Sequence, residues 1–167
     1  MFRTFLLIVS DSASQDRSLD QTTEALMKVL PASYEVVGRD ILPDCPEAIA
    51  QKLIELCDGG EVDLILTSGG TGFSPRDHTP EATKAVIERE APGLAMQICL
   101  TGLTKTPRAA LSRGLAGIRG KCLIINLPGS PKGAVESLES VLGILDHGLQ
   151  LLLDKEGDCA NTRGGNR

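Results

Sequence analysis

Three groups of residues in this chain have types and spacings suited to chemistry. The first is the run Thr67-Ser68-Gly69-Gly70-Thr71-Gly72-Phe73-Ser74-Pro75-Arg76-Asp77-His78-Thr79-Pro80-Glu81-Ala82-Thr83. One or two glycines would satisfy a turn that needs positive φ. Gly69, Gly70 and Gly72 together favour close approach of a ligand, above all a polyanion, to the backbone. Two familiar phosphate loops are excluded: no Gly-Lys-Ser/Thr follows, and Phe73, Ser74 and Pro75 stand where a dinucleotide fingerprint would bring a third glycine.

The second group is a pair of carboxylates in loops, Asp44 in Pro43-Asp44-Cys45-Pro46 and Asp77 in the glycine run. Two carboxylates with substrate phosphates and waters form a common magnesium arrangement. Each also has a structural reading: Asp44 as a turn residue, Asp77 as a partner for Arg76 or a cap for the following helix. The third group is Pro128-Gly129-Ser130-Pro131-Lys132. Here a helix start offers free backbone N–H groups beside a lysine, which suits an anion, while Ser130 and Pro131 also suit the N-cap and first helical position. Ser112-Arg113 reads as ordinary surface. His78 and His147 show no partner pattern, so a Cys–His nucleophilic site has no support.

These groups need elements to hold them. Short apolar runs predict strands over residues 4–9, 34–42, 62–67 and 121–127. Helical spacing predicts helices over 22–30, 46–57, 80–90, 92–103 and 132–153, with Thr79 as the N-cap of the third. Residues 12–20 read as loop, and 111–118 as an ambiguous segment suited to a short edge strand. The alternation predicts one α/β domain over residues 1–153, with a mostly parallel sheet flanked by helices on both faces in a three-layer sandwich. Ligands of such sheets bind at the carboxyl ends of the strands. Ser10 and Asp11, Asp44, the glycine loop and the Pro128–Lys132 segment all fall there. The polar residues 154–167 read as a flexible tail.

Composition bounds the function. The chain has 167 residues, enough for one domain with a full core. Three Phe, one Tyr and no Trp leave little to stack bases on, and a net charge of −5 argues against non-specific nucleic-acid binding. Residues 20–63 carry ten acidic and three basic side chains, whereas 91–135 carry six basic and no acidic ones. That asymmetry suits a basic wall for a phosphorylated ligand, or simply an uneven surface. Five cysteines without C-x-x-C spacing predict reduced thiols and a cytoplasmic setting rather than a disulfide framework or zinc site. The apolar stretch near the start is too short for a signal peptide or a membrane span.

Taken in series, Val9-Ser10-Asp11-Ser12, Ile41-Leu42-Pro43-Asp44, the run from Ser68 to Thr83, Leu111-Ser112-Arg113, Gly117-Ile118-Arg119-Gly120 and Asn126-Leu127-Pro128-Gly129-Ser130 resemble the molybdopterin adenylyltransferases, the MogA family that includes the G domain of gephyrin. The resemblance runs from about residue 3 to about residue 153. It implies the MogA/MoaB-like fold and Mg2+-dependent transfer of AMP from ATP to molybdopterin, with release of pyrophosphate. By position it implies Asp44 and Asp77 as catalytic, metal-associated aspartates and Ser112 as a serine of the transfer step. It also implies Ser10, Asp11, Ser68, Gly69, Gly70, Thr71, Gly72, Pro128, Gly129 and Ser130 as substrate-binding residues. A homotrimer follows from the same resemblance, as does contact with the molybdenum-insertion enzyme. One departure stands out: Asp16-Arg17-Ser18 is followed by Leu19 where the family often has glycine. The related MoaB-like branch shares the glycine loop but usually lacks the full Pro-Arg-Asp-x-Thr-Pro-Glu-Ala-Thr continuation. A pterin-binding or scaffold module without transfer is the alternative.

Overall fold

A computed structural model describes residues 1–153, so the expected tail at 154–167, with Cys159, lies outside the described residues. Six strands form one sheet in the order β2-β1-β3-β6-β5-β4. Strands β1 (Phe2–Val9), β2 (Tyr34–Leu42), β3 (Leu64–Ser68) and β6 (Cys122–Leu127) run parallel. Strands β4 (Arg89–Glu90) and β5 (Ala116–Arg119) close one side antiparallel.

The central strands are apolar on both faces because both faces are covered. Alternate side chains point to opposite sides. Leu6, Leu64, Leu66, Leu123 and Ile125 enter one core with residues of α2 (Thr22–Val29), α5 (Pro92–Leu103) and α6 (Pro131–Leu152). Leu7, Ile65 and Ile124 enter the other with Ile49 and Leu53 of α3 (Pro46–Asp58) and Ala82 and Val86 of α4 (Thr79–Val86). Each fully buried Leu or Ile contributes about 1.5–3 kcal/mol of burial. The three-layer α/β reading therefore holds.

Four local expectations are corrected. The segment read as loop over 12–20 contains a short helix, α1 (Asp11–Gln15), and a 3-10 turn (Arg17–Leu19). Side-chain caps make both possible: Ser10 Oγ accepts from the Ala13 N–H at 3.3 Å, and Asp16 Oδ1 from the Ser18 N–H at 3.0 Å. The N-cap of α4 is His78, not Thr79, which sits inside the first turn with its N–H bonded to the Gly70 carbonyl at 3.1 Å. Helix α4 ends at Val86 rather than continuing to residue 90, because Glu88 N–H bonds to the Ile118 carbonyl and Arg89–Glu90 pairs with β5. Finally, residues 107–111 form a 3-10 turn, and β5 is an inner strand with β4 as the edge.

Candidate active site

All the predicted site residues lie at the carboxyl ends of the parallel strands or in loops facing them. Every one lines one of two adjoining cavities. The first, about 500 Å³, is lined by Gly70, Thr71, Gly72, Asp77, Ser112, Pro128, Gly129 and Ser130, with Lys105, Arg108 and Asn126. The second, about 740 Å³, is lined by Ser10, Asp11, Asp44, Ser68, Gly69, Gly70 and Gly129, with Arg76 and Leu19. Gly70 and Gly129 border both.

A glycine ridge separates the cavities, and packing explains its composition. Gly69 has φ +106°, and a Cβ there would lie 2.0 Å from the Val9 carbonyl oxygen. A Cβ on Gly129 would lie 3.2 Å from the Gly69 Cα. The two loops are tied by Ser68 Oγ donating to the Pro128 carbonyl at 2.7 Å. Gly69 thus serves backbone packing in its own right. Gly70, at φ +62°, is different: a Cβ there would meet side chains rather than backbone, Thr79 Oγ1 at 2.4 Å and Asp44 Oδ1 at 2.5 Å being nearest.

The carboxylates divide between the cavities. Asp44 is held by its backbone N–H on Asp11 Oδ1 at 3.0 Å, and Asp11 Oδ2 pairs with Arg76 Nη1 at 3.2 Å. Burial pushes the Asp44 carboxyl above its usual range, and the charges of Asp11 and Asp77 push the same way, against Arg76 and His78. Asp77 Oδ2 accepts from the Ser74 N–H at 3.1 Å, which folds the loop onto itself. Arg76 pairs with Asp11, and α4 begins on His78, so neither structural reading of Asp77 describes its place.

Among the described residues, two buried side-chain oxygens lack any hydrogen-bond partner: Asp44 Oδ1 and Thr79 Oγ1. Such atoms cost about 1–3 kcal/mol each unless something binds them. No group of three or more His, Cys, Asp or Glu side chains among the described residues is disposed to hold a metal. Magnesium does not need one, since it takes one or two carboxylates and completes its shell with waters and phosphates. The hard oxygen donors at the ridge fit that ion.

Ser112 is held by the 3-10 turn before it, its N–H on the Ala109 carbonyl at 3.1 Å, and its hydroxyl accepts from the Gly114 N–H at 3.3 Å. Ser130 caps α6 through the Gly133 N–H at 3.2 Å, so the cap expectation holds alongside its place in the first cavity. Lys132 is exposed and lines neither cavity.

Two organising residues escape a reading of sequence alone. Arg113, taken above as surface, donates from Nε to the Gly72 carbonyl and from Nη2 to the Asp77 carbonyl, each at 2.7 Å. Its N–H reaches the Thr71 carbonyl at 2.8 Å, and its guanidinium also pairs with Glu81. Nothing in its neighbours announces this clamp. Asn126, buried at the end of β6, donates to Thr67 Oγ1 and Thr83 Oγ1 at 2.9 Å each and accepts from the Leu115 N–H at 3.2 Å. A polar residue inside the run Leu123-Ile124-Ile125-Asn126-Leu127 signals it, as does its place in the motif Asn126-Leu127-Pro128-Gly129-Ser130, but neither names its partners.

Residues 5–147 match the family described as "Probable molybdopterin binding domain". This chain belongs to that family. Among its relatives, the molybdopterin adenylyltransferase of Helicobacter pylori is 40% identical over 154 residues, covering 89% of this chain and 86% of that protein. The Drosophila melanogaster molybdenum cofactor synthesis protein cinnamon is 41% identical over 89% of this chain, which spans only 25% of cinnamon's length. The crystal structure of the molybdopterin biosynthesis enzyme MoaB from Thermus thermophilus superposes with a TM-score of 0.88 at 51% identity, covering 95% of this chain and 100% of that one. The fold and the motif series thus agree with membership of this family of molybdopterin-binding domains.

Proposed function

We propose that this protein is a molybdopterin adenylyltransferase. It transfers AMP from ATP to molybdopterin, with Mg2+, and releases pyrophosphate. The observation that carries this reading is the meeting of two cavities at Gly70 and Gly129, with Asp44 bordering one and Asp77 and Ser112 the other. The relatives named molybdopterin adenylyltransferase support it.

In the transfer, a phosphate oxygen of the pterin attacks the α-phosphorus of ATP. The bond from that phosphorus to the bridging oxygen of the β-phosphate breaks, and pyrophosphate departs. No protein nucleophile is required. The protein must bring two polyanions into line and offset their charge. The glycine ridge lets both approach the backbone at one point. The α6 N-terminus presents N–H groups beside Ser130, and the first cavity carries Lys105 and Arg108. Ser112 borders the first cavity, and in this reading its hydroxyl hydrogen-bonds a phosphate oxygen as charge shifts onto the departing group. Asp44 and Asp77 would hold magnesium, and the ion would supply further neutralisation of phosphate charge. Asp11 orients Asp44, and Arg113 holds the turn that carries Asp77.

The reading extends to a homotrimer acting in the cytoplasm, which passes its product to the molybdenum-insertion enzyme. Among the described residues, no helix is long and apolar enough to cross a membrane. Purified protein given ATP, molybdopterin and Mg2+ is expected to release pyrophosphate only when both substrates are present. Pterin binding without pyrophosphate release would favour a binding or scaffold module.

A further inference from the structure

The amino ends of the strands, away from both cavities, hold a pair of thiols. Cys122 opens β6 and is 1% exposed, whereas Cys57, in the last turn of α3, is 9% exposed. Both belong to the core layer of Leu53, Ile65 and Ile124. Arg119 pins the two segments together. It lies opposite Cys122 where β5 pairs with β6, and its guanidinium forks onto Asp58, the residue after Cys57. Nε and Nη2 each reach an Asp58 carboxylate oxygen at 2.8 Å, and Nη1 reaches the Val86 carbonyl at 3.0 Å. The thiols are free and interact with each other. A hydrogen bond shared with Cys122, and after it the charge of Arg119, holds the Cys57 thiol below its ordinary value despite burial. The same shared bond and deeper burial push the Cys122 thiol up.

We propose that Cys57 and Cys122 form an oxidation site, a dithiol that hydrogen peroxide converts to an intramolecular disulfide. The site lies at the far end of the sheet from the cavities and does not depend on the transferase reading. Cys57 is the attacking group, because it is the more exposed of the two and the one that ionises first. Its thiolate sulfur attacks one peroxide oxygen, the O–O bond breaks, and the departing hydroxide takes up the proton that Cys57 released. The product is a Cys57 sulfenic acid and water. The Cys122 sulfur then attacks the Cys57 sulfur. The S–O bond breaks, and the departing hydroxide leaves with the Cys122 proton as a second water. Two thiols thus lose two electrons and two protons, and one peroxide becomes two waters. Burial favours this internal resolution, since Cys122 is already beside Cys57 while bulkier thiols from solvent are kept out.

The test treats the full chain, reduced and then freed of reductant, with increasing hydrogen peroxide. Remaining thiols are blocked with N-ethylmaleimide in denaturant, and the protein is mapped by mass spectrometry without reductant. A peptide pair joining Cys57 to Cys122 is expected before Cys45 or Cys99 is oxidised, with free thiols falling by two from the five of the sequence. Dithiothreitol should restore both. In Cys122→Ala, the Cys57 sulfenic acid has no partner and should be labelled by dimedone. In Cys57→Ser, Cys122 should stay reduced over the same range of peroxide. The wild-type map decides the matter if either variant does not fold. No Cys57–Cys122 peptide at peroxide levels that oxidise Cys45 or Cys99 would overturn the proposal. So would a wild-type map in which Cys57 is bonded to a different thiol or to a second copy of the chain.

Discussion

Arg113 Nε donates to the carbonyl oxygen of Gly72 at 2.7 Å, joining the loop that carries Ser112 to the loop that carries Asp77. The same guanidinium reaches the Asp77 carbonyl, so one planar side chain fixes both arms of the turn between residues 72 and 77. A lysine offers a compact point charge and cannot span the two carbonyls with the same geometry. Arg113→Lys is therefore expected to lower kcat by about 10- to 100-fold through misplacement of Asp77, with a smaller change in KM. Steady-state kinetics beside a thermal melt check this. A large fall in Tm with kcat unchanged per folded molecule would assign Arg113 to stability alone.

Asp77 spends one carboxylate oxygen on the Ser74 N–H and borders the first cavity. Asp77→Asn keeps the shape and an oxygen for that bond but removes the charge. Turnover should fall by about a hundredfold or more while circular dichroism and Tm stay near wild type. Wild-type pyrophosphate release by this variant would remove Asp77 from the chemistry. Ser112→Ala, which deletes one hydroxyl at an exposed turn, should cost about tenfold or more in kcat with the fold intact.

Asp44 predicts a pH dependence with a definite sign. Its carboxyl titrates above the usual range in the folded protein, so between the unfolded and folded pKa values the native state binds more protons. Its contribution to stability is present below the unfolded pKa and is lost as pH rises through the folded one. In the metal-free protein, Asp44→Asn should thus raise Tm at pH 7, by about 2–4 °C for each kcal/mol of charge burial relieved. Under the proposed function, in which the charged carboxylate would hold magnesium, activity should move the other way. Melts of both proteins between pH 4 and 8, without divalent ions, check this. A wild-type and variant Tm difference that does not grow with pH would contradict it.

Glycine substitutions separate packing from helix propensity. Gly69→Ala drives a methyl onto the Val9 carbonyl at a backbone angle alanine rarely adopts. It should cost about 3 kcal/mol or more by chemical denaturation. Gly143, in the middle of α6, has nothing within 4 Å of an added Cβ. Gly143→Ala should stabilise by about 0.5–1 kcal/mol.

What the sequence disclosed follows from where the signals are local. The buried strands announce themselves by apolar runs such as Leu64-Ile65-Leu66, and Ser130-Pro131 writes its own helix start. Because the parallel strands end on one edge, the loops after them had to gather, which brought Asp44 and Asp77 near each other. What stayed hidden depends on tertiary contact. Arg113 acts through carbonyls some forty positions away in the chain, and no local pattern encodes that. Thr79 looked like a cap because Thr-Pro-Glu starts helices, yet its hydroxyl turns inward to face Asp44 beside Gly70. Helix α4 stopped short because Arg89–Glu90 found a partner strand, a competition that helical spacing cannot register.

The most direct test of the central claim follows the α-phosphorus of ATP. Wild-type protein is incubated with Mg2+, molybdopterin and ATP labelled at the α-phosphate, and the pterin is separated from nucleotides. Bond breakage at the α-phosphorus predicts label on the pterin, with one pyrophosphate released for each labelled molecule, and neither from Asp77→Asn. Unlabelled pterin, or label that remains in ATP while the pterin stays bound, would contradict adenylyl transfer.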